Sequence, residues 1–334
     1  MLWNVNGLKS KLSNPDLITF FSKFDIICLT ETWGTKSDNF QLPGYISYSK
    51  IRVKRCITGR NSGGVLAFIK SKYSQSVMQL NGKSEDILWL KFDTSHVILI
   101  VCIVYFSPQS SSSYSNEFLF DLLEDEHAHF LQSFPEYHFI ITGDFNARTA
   151  SEPDYLAYES MHVIGTDTDF DQNDIIPTRQ SRDSEVNYYG KCLLEMCKAS
   201  GLRIVNGRKS PQSSFNTCIN ERGSSVVDYV LCNTHTLERI SRCVVGDRVE
   251  SDHQPLYLTF NYMQSVYTMN TLPHCTAHTN PPRLIWNDVG SEKFYKFWDT
   301  QQANQSIADC VYQLENDKID ESIESIIKIL YGAA

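Results

Sequence analysis

Seven short runs of apolar and β-branched residues, each bounded by turn formers, punctuate the first three quarters of the chain: Ile26–Leu29, Gly64–Ile69, Ile87–Phe92, Val97–Phe106, Tyr137–Thr142, Val226–Cys232 and Leu256–Phe260. Runs of this length and composition predict β-strands. The longest, Val97–Phe106, is ten residues, about half of what a membrane-spanning helix needs, so a buried strand is expected there. Helical spacing appears between some of the runs. Asn14-Pro15 opens one helix with Pro at its first position, followed by Leu17, Ile18 and Phe21. Tyr114–Phe134 predicts a second, and Asn187–Ser200 a third that Gly201 stops. Strand, helix and strand followed by many strands with few helices predicts an α/β sandwich: two mostly antiparallel sheets packed together, with helices outside.

The polar, acidic segment Ala147–Val186 lacks periodicity and is expected to be a long surface insertion. After Phe260 the pattern changes. Met263–Arg283 is rich in Thr, Asn, His and Pro and predicts a linker, and Ile319, Ile323, Ile326, Ile327 and Leu330 then form a helical stripe in an acidic segment. The expected organisation is a domain over 1–262, a linker over 263–283 and a helical tail over 284–334.

Composition narrows the picture modestly. With 334 residues, 42% of them hydrophobic, the chain can bury a large core. Ten cysteines fall at irregular spacings without a C-x-x-C pair, several inside apolar runs, as reduced core thiols do. This favours an intracellular setting, cytosolic or nuclear, and no signal-peptide pattern opens the chain. The net charge of −9 argues against a uniformly basic nucleic-acid coat, yet charge is segregated. Asn39–Ser84 holds eight Lys or Arg and no acid, whereas Asn116–Ile176 holds fourteen acids and one Arg. The basic stretch from Lys50 to Arg60 suits a phosphate backbone.

Four polar clusters are expected at or just after the C-terminal ends of strands, where rigid strands aim side chains into a shared cleft. Asn4 and Asn6 in W-N-V-N-G share one face of the first strand, although Asn before Gly is ordinarily a turn former. Glu31 in T-E-T-W follows the run ending at Leu29 and is either a solvated rim carboxylate or a ligand for a hard cation. Asp144 and Asn146 in G-D-F-N would share a face, or simply close a strand as an Asx turn. Asp228 lies within V-V-D-Y-V, where a carboxylate is costly unless paired, and His253 of S-D-H is its candidate partner. Each cluster is weak alone. Together, in this order, they supply a metal carboxylate, a water-orienting Asp-x-Asn and an Asp/His pair, the kit for metal-assisted attack of water on a phosphodiester.

These residues, spread over Leu2–Phe260, resemble the endonuclease/exonuclease/phosphatase superfamily. That resemblance implies the DNase I-like four-layered α/β sandwich. It places Asn4 and Asn6 at the first motif and Glu31 at the metal-ligand motif. Tyr105, in V-Y-F-S-P, stands at the tyrosine facing the scissile phosphate. Asp144 and Asn146 fill G-D-F-N, Asp228 the V-D-Y-V strand, and Asp252 with His253 the S-D-H motif. Ser214 stands where relatives often carry Thr near the phosphate. Connecting text such as N-S-G-G-V (61–65) and G-L-R-I-V-N (201–206) is similar to the apurinic-type endonuclease domain of LINE-like non-LTR retrotransposons, whose enzymes nick target DNA to expose a 3′-hydroxyl that primes reverse transcription.

The resemblance implies a DNA endonuclease using Mg²⁺, or Mn²⁺, and leaving 5′-phosphate and 3′-hydroxyl ends. Glu31, Asn6 and Asp252 would hold the metal, Asp144 would position or deprotonate the water, and Asn146 and Asn4 would fix water or phosphate. His253, held by Asp228, would stabilise developing charge, with Tyr105 near the leaving oxygen and Arg60 and Ser214 on the phosphate track. DNA is the expected partner, with a reverse transcriptase in a longer element, and no membrane. Asn6 replaces an Asp that repair relatives carry, so its carbonyl oxygen would have to serve; Ser225 replaces a Trp of their abasic-sugar pocket, which argues against dedicated repair. The first strand begins at residue 2, so the amino-terminal half of an interior strand is expected to be missing, at a cost to stability and activity. Two alternatives stay open: a phosphatase or phosphodiesterase of the same superfamily, and a catalytically silent binding module.

Overall fold

The computed structural model describes residues 1–52, 61–95, 98–109, 117–155, 178–221 and 223–262, together with residues 305 and 308 alone. The chain divides into two compact units, Met1–Val266 and Tyr267–Ala334; every element below lies in the first. The expected linker over 263–283 lies outside the described residues, as does the tail over 284–334 apart from those two positions.

One six-stranded sheet comprises β1 (Leu2–Asn4), β2 (Ile26–Thr30), β3 (Tyr45–Lys50), β4 (Val65–Lys70), β13 (Ile240–Val245) and β14 (Leu256–Phe260), in the order β13-β14-β1-β2-β4-β3. The other comprises β5 (Val77–Leu80), β6 (Ile87–Asp93), β7 (Ile98–Tyr105), β8 (His138–Asp144), β9 (Leu202–Ile204) and β12 (Asp228–Asn233), in the order β5-β6-β7-β8-β12-β9. A separate hairpin joins β10 (Cys218–Asn220) to β11 (Gly223–Ser225). The β1–β2 and β7–β8 pairs are parallel and the other pairs antiparallel. Seven strands are missing from the hydrophobic runs: β1, β9, β10 and β11 have three residues each and β5 four, β3 is half-exposed throughout, and the exposed Ser241 and Arg242 interrupt β13.

Alternation along the strands builds the layers. In β7, Leu99, Val101, Ile103 and Tyr105 join the core between the sheets, while Ile100, Cys102 and Val104 join the outer core beneath helices α2 (Glu117–Ser133) and α3 (Tyr188–Ser200). In β2, Cys28 faces inward while Ile27 and Leu29 pack outward against α1 (Pro15–Phe21). Central strands buried on both faces account for the continuous apolar runs. The helix boundaries follow the capping chemistry: Asn14 accepts from Asp16 N at 3.0 Å with Pro15 at the first turn, Asn187 accepts from Gly190 N at 2.7 Å, and Gly201 closes α3 at φ 66°.

Two expectations are corrected. The described parts of Ala147–Val186, residues 147–155 and 178–186, are not simply a surface excursion. They are anchored inward by Arg148, which pairs with Asp183 at 2.7 Å and with Glu185, and by Asp154, which pairs with Arg208 at 2.6 Å with both side chains almost wholly buried. Nor do all four polar clusters follow strand C-termini. Asp228 opens β12, and His253 precedes β14; they reach the same end of the molecule because β12 runs antiparallel to β8.

Candidate active site

The site forms where the core between the sheets gives way to polar side chains. Register dictates the row: Tyr105 of β7 lies opposite Asp144 of β8, which lies opposite Asp228 of β12. By strand parity these three share the inward face with Leu99, Val101, Ile103, Ile140 and Val230. Asn4 faces them from the other sheet, two residues beyond inward-facing Leu2, and donates Nδ2–H to Asp144 Oδ2 at 2.8 Å. Gly143 is required where the row is assembled, because a Cβ there would sit 1.9 Å from the Val104 carbonyl oxygen, closer than any packed chain tolerates.

His253 Nδ1 meets Asp228 Oδ2 at 2.7 Å, and its Nε2 lies 4.0 Å from Asp144 Oδ2. All three side chains are buried. Burial opposes the imidazolium, but the Asp228 charge and hydrogen bond outweigh it and hold the His253 pKa well above its ordinary value. Asp144 is pushed the other way from a typical carboxylate: burial and the adjacent Asp228 raise its pKa, against the opposing pull of His253, Asn146 N–H and Asn4. Asp228 is itself positioned by its backbone, since Thr217 Oγ1 accepts from both Val227 N and Asp228 N at 3.0 Å and Asn206 Nδ2 donates to Asp228 O at 3.0 Å. Its Oδ1 is buried without a hydrogen-bond partner, a costly state that marks the pocket as built for more than packing.

The second cluster lies at the half-buried rim. Glu31 accepts from Tyr105 OH through Oε1 at 2.5 Å and from Trp33 Nε1–H through Oε2 at 2.8 Å. Asn6 Nδ2–H donates to Asp252 Oδ1 at 3.0 Å. Lys11 Nζ, which the sequence did not single out, donates to the backbone carbonyls of Val5 and Asn6. The Tyr105 ring rests on the guanidinium of Arg52, 5.0 Å from its centroid, and Arg52 is fixed by Asp86 and Ser107. Burial and neighbouring Glu31 and Asp144 raise the Tyr105 phenol pKa far above its usual range, so it remains a neutral donor. Asn146 N–H bonds Asp144 Oδ1 at 2.9 Å, and its Nδ2 donates to Phe106 O at 2.7 Å.

Asn6, Glu31 and Asn146 all adopt left-handed backbone, with φ of 47°, 51° and 48°. Non-glycine residues reach that region at an energetic cost, of order 1–3 kcal/mol each, and such positions concentrate at working sites. Sequence gives no sign of this strain beyond the Asn bias at two of the three.

One expected residue turns elsewhere, and another lies outside the described residues. Ser214 donates to the Pro211 carbonyl at 2.7 Å within its own short helix rather than turning to the cluster. Arg60 lies outside the described residues, as do Lys54 and Arg55. Four described members of the basic stretch between Asn39 and Ser84 turn away from a phosphate track. Lys50 is drawn inward to the carbonyls of Gly82 and Ser84, Arg52 is buried under Tyr105, and Lys70 and Lys72 pair with Asp25 at the opposite end of the sheet. A cleft of about 550 Å³, lined by Asn146, Arg148, Asn187, Cys218 and His253 among others, opens beside the cluster.

The rim carries donors of the kind a hard divalent cation takes: the carboxylates of Glu31 and Asp252, and the amide oxygen of Asn6, whose nitrogen is committed to Asp252. Asp144, Asp228 and His253 also bring ligand atoms within 4.8 Å of one another, but the 2.7 Å contact between Asp228 and His253 makes that set a hydrogen-bonded ion pair.

Comparison with known proteins matches this architecture. Over its full length the chain is 21% identical to the RNA-directed DNA polymerase from mobile element jockey of Drosophila funebris, and it spans 30% of that protein. Similar solved structures include an AP endonuclease from Leishmania major, with TM-score 0.56 and 16% identity, covering 78% of this chain and 86% of that one. The endonuclease domain of TRAS1, a telomere-specific non-LTR retrotransposon, superposes with TM-score 0.53 and 15% identity over 79% of this chain and 97% of its own. A 3′ phosphatase from Neisseria bound to product DNA hairpin gives TM-score 0.50 and 16% identity over 78% and 98%. These likenesses establish the DNase I-like sandwich. Residues 1–253, which include every site residue above, match the Endonuclease/Exonuclease/phosphatase family model, and the chain belongs to that family.

Proposed function

We propose that this chain is a divalent-metal-dependent DNA endonuclease that hydrolyses phosphodiester bonds to 5′-phosphate and 3′-hydroxyl ends. The observation that carries the reading is the row Tyr105–Asp144–Asp228, completed by Asn4 from the facing sheet and by His253. Phosphoryl transfer asks the protein to place water in line and to neutralise charge, and this row holds an acceptor with a raised pKa next to a cationic imidazole.

Asp144 takes the proton of the attacking water through the carboxylate that Asn4 and the Asn146 backbone orient. The Asn146 side chain holds a water or phosphate oxygen at the mouth of the cleft. His253, kept protonated by Asp228, donates to the phosphoryl oxygens as negative charge grows on them. Tyr105, neutral and fixed between Glu31 and Arg52, presents its phenol beside the leaving oxygen. Glu31, Asn6 and Asp252 would hold Mg²⁺, which when bound supplies Lewis-acid neutralisation of the phosphate.

The jockey relative, an RNA-directed DNA polymerase from a mobile element, supports a place in a longer element encoding a reverse transcriptase; in that reading the chain nicks target DNA, in the nucleus. The test is incubation with supercoiled plasmid in Mg²⁺ and in EDTA, followed by polymerase extension of the nicked product. Metal-dependent relaxation with extendable ends supports the reading. Release of phosphate from a 3′-phosphorylated oligonucleotide without plasmid relaxation would replace it with a phosphatase.

A further inference from the structure

The described residues hold a thiol that the proposed hydrolysis does not use. Cys218 opens the β10–β11 hairpin and pairs with His253 across an isolated antiparallel bridge. The flanking bonds, Ile219 N to Asp252 O at 2.8 Å and Gln254 N to Thr217 O at 2.7 Å, make this a non-hydrogen-bonded pair, the kind that brings facing side chains closest. Cys218, His253 and Asp252 thereby bring one ligand atom each, a sulfur, an imidazole nitrogen and a carboxylate oxygen, within 4.8 Å of one another. Cys218 and His253 also line the open cleft, which gives an ion a route in.

We propose that Cys218, His253 and Asp252 form a site for a soft divalent cation of the zinc class, distinct in chemistry from the oxygen-donor site at Glu31, and that its occupation shuts the enzyme off. A Cys/His/carboxylate set is zinc chemistry, and Mg²⁺ has no use for a thiolate. Tetrahedral zinc, with bonds of about 2.3 Å to sulfur and 2.0 Å to nitrogen, holds its ligand atoms about 3.5 Å apart, a spacing to which binding would have to draw the present set, now within 4.8 Å. The second shell is already in place. Asp228 occupies His253 Nδ1 at 2.7 Å, so Nε2 is the ring's ligand atom, the carboxylate–histidine–metal arrangement that raises affinity at known zinc sites. Binding forms the S–Zn, N–Zn and O–Zn bonds, releases the thiol proton and the Nε2 proton to solvent, and leaves a fourth position to water. It removes His253 from the phosphate and takes Asp252 from the rim cluster at once.

The inhibitory half of this proposal rests on the nuclease reading; the binding half does not. The experiment therefore has two readouts on the full chain. Co²⁺ replaces zinc as a spectroscopic probe, and the wild type is expected to show a thiolate-to-cobalt charge-transfer band at one equivalent, lost in Cys218→Ser and in Cys218→Ala. Zinc titrated into the Mg²⁺-dependent nicking reaction is expected to inhibit the wild type at roughly tenfold or more lower concentration than either variant, each normalised to its own zinc-free rate. A cobalt complex without the thiolate band, or equal zinc sensitivity in wild type and both variants, overturns the proposal. Absence of nicking in Mg²⁺ alone counts against the nuclease reading and leaves the cobalt spectrum to decide the site.

Discussion

Asn4 Nδ2 donates to Asp144 Oδ2 at 2.8 Å, a hydrogen bond that ties the first strand of one sheet to the central strands of the other at the heart of the site. It stabilises the charged carboxylate, whereas burial and the neighbouring Asp228 disfavour it, and the second influence prevails. Asp144 must be ionised to accept a proton, so the rate is expected to rise with pH through a value well above the ordinary carboxylate range. Asn4→Ala removes a bond to the ionised form and moves that limb to higher pH. A pH–rate profile of single-turnover nicking for the two proteins reads the shift directly, and coincident limbs would rule out Asp144 as the base.

Arg52 sits beneath the Tyr105 ring and is fixed by Asp86 and Ser107, at 2.7 Å each. Gly63 makes room for it, since a Cβ there would lie 2.8 Å from Arg52 Nε. Arg52→Lys keeps the charge but loses the planar stack and the forked contact. The expected result is a fall in kcat of about tenfold with KM little changed, the size of one lost orienting contact. In a Tyr105→Phe background the same substitution should cost much less, because the phenol it aims is gone. An additive double mutant would show that Arg52 acts only through stability.

Asp154 and Arg208 form an almost wholly buried ion pair that anchors the loop after β8 to the turn after β9. Burial opposes the Asp154 charge, but the Arg208 bonds prevail and its folded-state pKa is lowered. The stability it contributes is therefore present above the unfolded carboxylate pKa and is lost as pH falls through the folded value. Arg208→Met strands the carboxylate and is expected to cost about 3–5 kcal/mol. Thermal unfolding at pH 7 should show a drop of roughly 10 °C, shrinking as pH is lowered below 4. A drop that persists undiminished in acid would contradict the ion-pair account.

Much of this was readable from residue order. The strands carrying Glu31, Tyr105 and Asp144 are apolar runs long enough to register, and Asp228 with His253 could be paired because a carboxylate beside buried residues needs a partner. What stayed hidden depends on the third dimension. Thr217 holds Asp228 through two backbone amides across a loop, and nothing about an isolated Thr signals that. Arg52 and Lys50 looked like a basic lip because charge usually faces solvent; their burial depends on Asp86, Ser107 and two carbonyls more than thirty residues away. The antiparallel direction of β12, which puts Asp228 at a strand start, is set by sheet order.

The central claim is that His253, held by Asp228 beside Asp144, stabilises the charge that develops when DNA is cut. The most direct measurement compares wild type and His253→Ala on supercoiled plasmid in Mg²⁺, with EDTA controls and matched thermal unfolding curves. The account predicts that the variant folds, still binds DNA, and nicks about 10²–10³-fold more slowly, with no cutting by either protein in EDTA. Equal nicking by the two folded proteins would contradict it.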